Sequence, residues 1–598
     1  MESGIDVISI KVSRSDIVWA TLKEVCGIAY MLGSVGLSVY CVYALYPYLN
    51  NDFIWAGYAS ANVFTSLNNL YNMQLTQFIT TTELNIFEPL NTLSIHDKIG
   101  VSSAYPRYIM YNDLSSLDAA VHGLRNIDIV DIVYMVTQYC WVDFDKRWAM
   151  AHTSMRQKRC WQRYQSNGAV YLETVLRNID FQAWSDTTQG LFDARIAAGV
   201  LENPTGAAFL QYLNQHILLP VDNEVEFLQL KGVHNFILQY SNQYQIGIHE
   251  TIDIENAMGV TWSLPIKSVA TWHRGTLWTT KYMYSGLQFD LYTPTGNMSL
   301  VQNASTFFGL KNDNMMEETS VMFPLTSQLK AVHNHIGPFV TIDLFLLPPP
   351  PELFQIIQRF RSIVQTTLKT TTEFGIELMA MGTYELHPTP PPWQKQSLTF
   401  YGGSPMCGFG TGFSFVQESF GFDDACASQQ ALTIELNPYS SLFAYSLTQA
   451  TSATACQLVP LSEVALCQNA FLSFKALSAM VPELSTIKTP KSVERLNLSY
   501  MQLISNGSNR NITLDSQPLL QPGFSFFGWM AIYDWAWNLR EAVSFEGDNG
   551  TYALMSYSTP LVASTQLAAT SGLVGVAIVS FTFWVLYCPM GCPWFVFN

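Results

Sequence analysis

Two stretches of the chain are apolar on all sides of a helix, and each lies near one end of the sequence. Residues 25–51 and 567–587 contain no Asp, Glu, Lys or Arg. A helix of about 20 apolar residues crosses the roughly 30 Å hydrocarbon core of a bilayer. The pattern therefore predicts two transmembrane helices, at residues 25–49 and 566–588. Two core helices of a soluble protein are the alternative, although a core helix normally shows a polar stripe.

Basic residues near the first span predict its orientation. Lys11, Arg14 and Lys23 precede it, and basic residues favour the cytoplasmic side of a membrane. We therefore expect residues 1–24 to be cytoplasmic and the first span to be an uncleaved signal anchor. A cleaved signal peptide is the alternative, but its apolar core is usually only about 7–15 residues long. Two spans return the tail, residues 589–598, to the cytoplasm.

The first part of the segment between the spans has helical periodicity. Residues 50–220 are predicted to be mainly helical, and Ser115 is the predicted N-cap of one helix. The apolar residues that recur at helical spacing after it are Leu117, Ala120, Val121 and Leu124.

The period then changes to two. In YQIGIHETIDI, residues 244–254, the isoleucines Ile248, Ile252 and Ile254 share one face. GLQFDLYT, residues 286–293, also alternates apolar and polar positions. Both patterns indicate strands of a half-buried antiparallel sheet.

Residues 221–563 are predicted to form an α+β part, because helical patterns interrupt the strands. A helix follows prolines 348–351, strands return at 497–519, and GWMAIYDWAWNLREAV, residues 528–543, is typical of a helix. The predicted fold class is an α+β ectodomain, helical in its first part and then mostly antiparallel sheet, between two transmembrane helices.

Composition and sequons predict an extracytoplasmic location for the middle of the chain. Charged residues make up 13%, about half of the roughly 25% found in soluble proteins. All Asn-X-Ser/Thr sequons lie between the spans, where N-glycosylation occurs in exported proteins. Their asparagines are Asn297, Asn303, Asn497, Asn506, Asn511 and Asn549. We expect a plasma-membrane glycoprotein that is delivered by the secretory pathway.

The ten cysteines fall into groups. Cys26 and Cys41 belong to the first span, and Cys588 and Cys592, at the end of the second, are weak candidates for acylation. Short spacing predicts three disulfide bonds among the other six, each worth about 3 kcal/mol in the chain-entropy model. The predicted pairs are Cys140–Cys160, Cys407–Cys426 and Cys456–Cys467. Six buried free thiols are the alternative.

Charge excludes one class of partner and marks one patch. The chain has a net charge of −16, and nucleic-acid binding requires a basic surface, so no nucleic acid is expected. The most basic patch comprises Lys146, Arg147, Arg156, Lys158 and Arg159. It is interpreted as a solvated face between two bridged cysteines, and an anion-binding site is the alternative.

Candidate chemistry in the middle segment is sparse, and no cofactor or metal is predicted. Glu541, Glu546 and Asp548 form the best acidic cluster, which could act in glycoside cleavage if two carboxylates lay about 5–9 Å apart. His333 and His335 are interpreted as surface residues rather than as two metal ligands on one strand face. Ser404 lacks the flanking glycine of a hydrolase elbow.

The two spans contain no Asp, Glu, Lys, Arg or His, so a proton relay or charged pore ring has no support from the sequence. Ala29 with Gly33, and Ser571 with Gly575, are small residues spaced four apart, a pattern that lets helices pack closely. The expected partners are therefore the lipid bilayer and, through these helices, a second copy of the chain. An unknown extracellular ligand is also expected.

Three stretches together resemble a known family. They are YCWVDFDKRWAMAHTSMRQKRCWQRY, NQYQIGIHETIDIENAMG and YDWAWNLREAVSFEGDNGTYALMS. They are similar to a large multi-copy family of uncharacterised membrane proteins from oomycetes, the water moulds. The resemblance covers most of the segment between the spans and implies a shared membrane-anchored ectodomain. It implies no activity, substrate or catalytic residue.

The sequence as a whole favours an integral membrane glycoprotein with a large ectodomain for binding or structure. A two-span channel subunit is the first alternative. A membrane-anchored ecto-enzyme, such as a glycoside hydrolase, is the second.

Overall fold

The structure is a computed structural model. It describes residues 14–49, 115–135, 138–239, 244–245, 248–255, 261–269, 272–273, 286–312, 314–320, 323–402, 412–418, 430–507, 511–537 and 539–555. The second predicted span, the cytoplasmic tail, Ser404, and the cysteines Cys407, Cys426, Cys588 and Cys592 lie outside these residues, and the predictions about them stay predictions.

The first helix is long and apolar. Helix α1, Arg14–Leu49, has 36 residues, and its segment Thr21–Ala44 has a mean hydropathy of 1.8 with none of its window buried. By length and composition this segment can cross a membrane or act as a signal sequence. The helix begins eleven residues before the predicted span and therefore includes part of the predicted cytoplasmic N-terminus. It is the one candidate span among the described residues.

A helical unit follows, in agreement with the prediction over the described part of residues 115–220; residues 50–114 of the predicted helical part lie outside the described residues. Its helices are α2 (Leu117–Asn126), α3 (Ser154–Arg159), α4 (Leu172–Leu176), α5 (Phe181–Thr187), α6 (Ala198–Leu201), α7 (Gly206–Gln215) and α8 (Val221–Leu230). The predicted stripe of α2 is buried. Its N-cap, however, is Ser116 and not Ser115, because the Ser116 hydroxyl accepts a hydrogen bond from Ala119 N at 3.2 Å.

The alternating patterns that follow had different outcomes. Residues 244–245 and 248–254 form strands as predicted: β2 (Ile248–Glu255) pairs with β3 (Thr261–Val269), and β1 (Tyr244–Gln245) pairs with β4 (Trp272–His273). The strand predicted at 286–293 is wrong, since Leu287–Tyr292 is helix α9. Leu287 and Leu291 are both buried, and residues four apart share a helix face as well as a strand face.

Two short helices then lead to the main sheet. They are α10 (Met315–Ser320) and α11 (Ser327–His335). The sheet comprises β5 (Asp343–Leu346), β7 (Leu398–Phe400), β9 (Ser499–Asn506), β10 (Thr513–Pro518), β11 (Ala542–Glu546) and β12 (Thr551–Met555). Its order is β10-β9-β12-β11-β5, with β7 paired to the end of β9. The pairing is antiparallel except between β12 and β9.

In the sequence, the remaining elements connect the strands of that sheet. The helices are α12 (Pro351–Thr370), α13 (Thr372–Ala380), α14 (Pro438–Thr448), α15 (Ser452–Ala455), α16 (Val464–Met480), α17 (Lys491–Leu496) and α18 (Ser525–Ala536). A small sheet pairs β6 (Tyr384–Leu386) with β8 (Ile434–Leu436). The predicted helix after the prolines and the strands at 497–519 are confirmed. The helix predicted over 528–543 is partly wrong, because it ends at Ala536 and Ala542 begins a strand.

Three hydrophobic clusters organise the described residues. One lies in the helical unit, one joins the helices after residue 350 to the sheet, and a smaller one joins α11 to the strands. Val340 and Phe345, at the β5 edge, pack with the helical unit. The α+β class is therefore confirmed, with helices first and a mixed sheet afterwards.

Candidate functional site

The basic patch and the acidic cluster of the sequence meet each other in the structure. Arginines 156, 159 and 163 follow one another in a continuous helical segment, and Asp343, Glu546 and Asp548 lie at the β5 edge of the main sheet. We call these six residues the arginine–carboxylate network.

A capped and bridged segment positions the arginines. Thr153 caps α3 by accepting a hydrogen bond from Arg156 N at 3.1 Å. The helix continues into a π-helical turn, Cys160–Tyr164, where a disulfide bond joins Cys160 to Cys140. Spacings of three and four residues place Arg156, Arg159 and Arg163 on one side of the segment.

Sheet pairing positions the carboxylates. Asp343, at the start of β5, lies directly opposite Glu546, at the end of β11. Asp548 lies in the turn to β12, which Asn549 N and Gly550 N fix by donating hydrogen bonds to Ile336 O at 2.9 and 3.1 Å. A Cβ at Gly547 would lie 1.9 Å from that same oxygen, so this turn requires glycine.

Asp343 is the centre of the network. Its carboxylate accepts hydrogen bonds from Arg156 Nε at 3.1 Å, Arg156 Nη2 at 2.9 Å and Gln239 Nε2 at 2.9 Å. Arg159 Nη2 lies 3.3 Å from its other oxygen. The side chain of Asp343 is fully buried and that of Arg156 is 1% exposed. Backbone carbonyls of Gln138 and Tyr139 accept the remaining Arg156 hydrogen bonds.

Asp548 extends the network toward the surface. Arg159 Nη1 lies 2.5 Å from Asp548 Oδ1, and Thr153 Oγ1 donates to Asp548 Oδ2 at 2.7 Å. Arg159 Nη2 also donates to Thr341 O at 2.7 Å. Burial lowers the pKa of Arg159, but the charges of Asp343 and Asp548 outweigh this effect and hold its pKa above the usual value. Arg159 therefore stays charged.

Glu546 forms the outer end. The Tyr164 hydroxyl donates to Glu546 Oε2, Arg163 Nη1 lies 2.7 Å from the same oxygen, and Ser544 Oγ donates to Oε1 at 3.1 Å. Burial, together with the charges of Asp343 and Glu546, raises the pKa of Tyr164 well above its usual value. Tyr164 is therefore a neutral donor. Arg163 is 45% exposed and covers Glu546 from the solvent side.

The network corrects two interpretations of the sequence. The basic patch is not a solvated face as a whole, because Arg156 and Arg159 are buried, whereas Lys158 is exposed. Arg147, half-buried, binds Asp143 within its own segment at 2.7 Å. The anion held by the buried arginines belongs to the protein itself.

Within the acidic cluster, Glu541 and Glu546 lie too far apart to act as a pair in glycoside cleavage. Glu541 precedes β11 and Glu546 ends it, so about five strand residues, or roughly 17 Å, separate them. Arginines hold the carboxylates of Glu546 and Asp548. Asp343 was missed, although a signal exists: it is a lone acid at the start of the apolar run DLFLL.

The two histidines lie on helix α11 and not on a strand. His333 Nδ1 contacts Glu317 Oε1 at 2.7 Å, and His335 Nδ1 contacts Ala331 O at 2.8 Å. Side chains two residues apart on a helix point in roughly opposite directions. Within the described residues, no group of three or more His, Cys, Asp or Glu is placed to hold a metal ion.

One more buried ion pair and one buried contact between a histidine and a carboxylate lie in the helical unit, and no sequence pattern predicted either. Arg177 makes a two-pronged contact with Glu224 at 2.9 and 2.7 Å and stacks 3.8 Å from the ring centre of Phe227. His152 Nε2 lies 3.0 Å from Asp290 Oδ1, with both side chains at most 5% exposed.

The predicted modification sites have these places in the structure. Cys140–Cys160 and Cys456–Cys467 are disulfide-bonded, with Cα atoms 5.9 and 5.7 Å apart. Cys26 and Cys41 are exposed on α1 as free thiols. All the sequon asparagines are described and exposed, namely Asn297, Asn303, Asn497, Asn506, Asn511 and Asn549.

Comparisons of the chain with protein-family models, with curated proteins and with solved structures found no match. The resemblance to the oomycete membrane proteins stays a prediction.

Proposed function

We propose that this chain is an integral membrane glycoprotein whose ectodomain lies outside the cytoplasm, at the plasma membrane, and has a binding or structural role. The observation that carries the proposal is the pair of disulfide bonds. Cys140–Cys160 lies in the core of the helical unit and Cys456–Cys467 in the core beside the sheet. Disulfides persist in secreted and cell-surface proteins and are rare in the cytosol.

The surface and the first helix agree with this location. Every sequon asparagine is exposed, as a glycan attached to a folded domain requires. Helix α1 supplies a segment long and apolar enough for an anchor. Delivery by the secretory pathway, an uncleaved α1 and a membrane family of the oomycete type are parts of the same proposal.

The arginine–carboxylate network favours a binding or structural role over hydrolysis. A general acid or nucleophile must reach its substrate, whereas Asp343 is fully buried and Arg163 and Tyr164 occupy Glu546. Buried ion pairs of this kind help to select one arrangement of the parts they join. A rigid ectodomain with a fixed surface suits recognition.

The test uses the full-length chain in microsomes from eukaryotic cells. Glycosidase treatment should increase its mobility, and Asn303→Gln and Asn511→Gln should each remove one glycan. Alkylation after rapid denaturation should leave the four bonded cysteines unlabelled until a reductant is added. A chain that shows no glycosidase shift and has these four thiols open to alkylation contradicts the proposal.

A further inference from the structure

A groove lies beside one of the sequon asparagines. Its volume is about 350 Å³, within the roughly 300–1,000 Å³ of small-molecule sites. Three buried apolar residues line it, and three exposed polar residues line it as well. The apolar residues are Val493, Leu498 and Ile532, and the polar residues are Glu494, Asn497 and Gln521. Half-buried Pro518 and Leu520 complete the lining.

Asn497 is fixed at this groove by its backbone. It ends helix α17 with φ of 49°, in the left-handed region, and its N–H donates to Glu494 O at 3.2 Å. Asparagine tolerates this conformation better than most residues, and glycine adopts it without strain. The Ser499 hydroxyl donates to Asn497 O at 3.0 Å and secures the turn into β9.

We propose that the groove seats the first sugar of an N-linked glycan on Asn497. The inference rests on the proposed function, because glycan transfer requires the ectodomain to enter a glycosylating compartment. In the transfer, Asn497 Nδ2 forms a bond to the anomeric carbon of the sugar and loses a proton. The bond between that carbon and the pyrophosphate of a lipid-linked oligosaccharide donor breaks.

The lining suits an acetamido sugar. The apolar face of the ring packs against Pro518 and Leu520, and its hydroxyl and amide groups meet Glu494 and Gln521. Ser499 is buried in the folded protein, which does not prevent transfer, because the sequon is modified before the chain folds. The glycan thereby covers apolar surface that is otherwise open to water.

The test compares Asn497→Gly in glycosylated and unglycosylated full-length protein. Glycine suits the positive φ, so the substitution removes the glycan without straining the turn. Peptide mapping should find Asn497 occupied in the glycosylated parent. In that form the variant should melt about 2–4 °C lower than the parent, the shift of one modest interaction in a domain. In unglycosylated protein the variant should melt at the same temperature or slightly higher.

Asn303→Gln is the matched control, since Asn303 is exposed on the helical unit, and loss of its glycan should change the melting temperature by less than about 1 °C. An unoccupied Asn497 in a chain whose other sequons carry glycans overturns the inference. Equal effects of Asn497→Gly in both forms also overturn it. A parent without any glycan overturns the proposed function together with the inference.

Discussion

Asp343 accepts hydrogen bonds from Arg156, Arg159 and Gln239 while its own side chain is fully buried. A charge in this position is costly without partners, and two buried guanidinium groups without a counter-charge are costly as well. Asp343 is the counter-charge of Arg156 and shares Arg159 with Asp548, so it affects how both arginines pack against the sheet.

Asp343→Asn should lower the free energy of unfolding by about 3–5 kcal/mol, because it leaves buried Arg156 without a counter-charge and Arg159 with Asp548 alone. Denaturant titration of the detergent-solubilised chain measures this change. Asp145→Asn is the control: Asp145 is 53% exposed and pairs with Lys231 at 2.9 Å, and an exposed pair contributes at most about 1 kcal/mol. Equal effects of the two substitutions would show that the network does not stabilise the fold.

Glu173 gives a prediction about pH. Burial raises its pKa to about 7, although Phe144 N donates a hydrogen bond to it at 2.8 Å. Between about pH 4.5 and 7 the folded state then binds more protons at this residue than the unfolded state, so its contribution to stability falls as the pH rises. Glu173→Gln should remove that fall. The difference in stability between the variant and the parent should therefore favour the variant more at pH 7 than at pH 5.

Thermal unfolding at several pH values measures this difference. Glu226→Gln is the control, because Glu226 is exposed on helix α8 of the same helical unit. A parallel pH dependence in the parent and Glu173→Gln would contradict the prediction.

The segment from Cys140 to Tyr164 shows what one element contributes and what sequence patterns can reveal about it. Its disulfide was predictable from short spacing, and α12 was predictable from its apolar stripe after prolines 348–351. Both of these signals are local. The network was not predictable, because Arg159 and Asp548 lie 389 residues apart and no local pattern encodes their meeting. The strand prediction for Leu287–Tyr292 failed because the local pattern is ambiguous: its short alternation fits both a helix and a strand.

The Cys140–Cys160 bond should stabilise the chain more than Cys456–Cys467 does. In the chain-entropy model each closed loop contributes about 3 kcal/mol, but the first bond also anchors the helical segment that carries the three arginines. The double substitution Cys140→Ala with Cys160→Ala should therefore cost more than Cys456→Ala with Cys467→Ala. Melting temperatures of the two variants and the parent measure the difference.

The reductant supplies the control for that comparison. Reduced parent should melt no higher than the less stable variant, and Cys26→Ser should change nothing, because Cys26 is exposed on α1. A larger loss of melting temperature on removing Cys456–Cys467 would contradict the prediction. It would mean that the segment carrying the arginines keeps its position without its disulfide and that loop closure alone does not determine which bond stabilises the chain more.

At the scale of the whole molecule, the question is how many segments anchor the chain in the membrane. The segment Thr21–Ala44 of helix α1 is apolar and none of its window is buried, and Leu32 and Leu37 are 69% and 63% exposed. Charges placed there disturb no packing among the described residues, so their effect reports on lipid. A charged residue at the centre of a spanning helix costs about 2.5–3.5 kcal/mol on insertion scales.

We expect Leu32→Asp with Leu37→Asp to remain in the membrane pellet after carbonate washing, because the predicted span 566–588 still anchors the chain. Val574→Asp with Ile578→Asp should also remain, held by α1. Only the combination of all four substitutions should release the chain into the supernatant. Release by the first pair alone would show that α1 is the sole anchor and that residues 566–588 do not span the membrane. Release of the parent would show that neither segment spans the membrane, since an integral protein resists this wash.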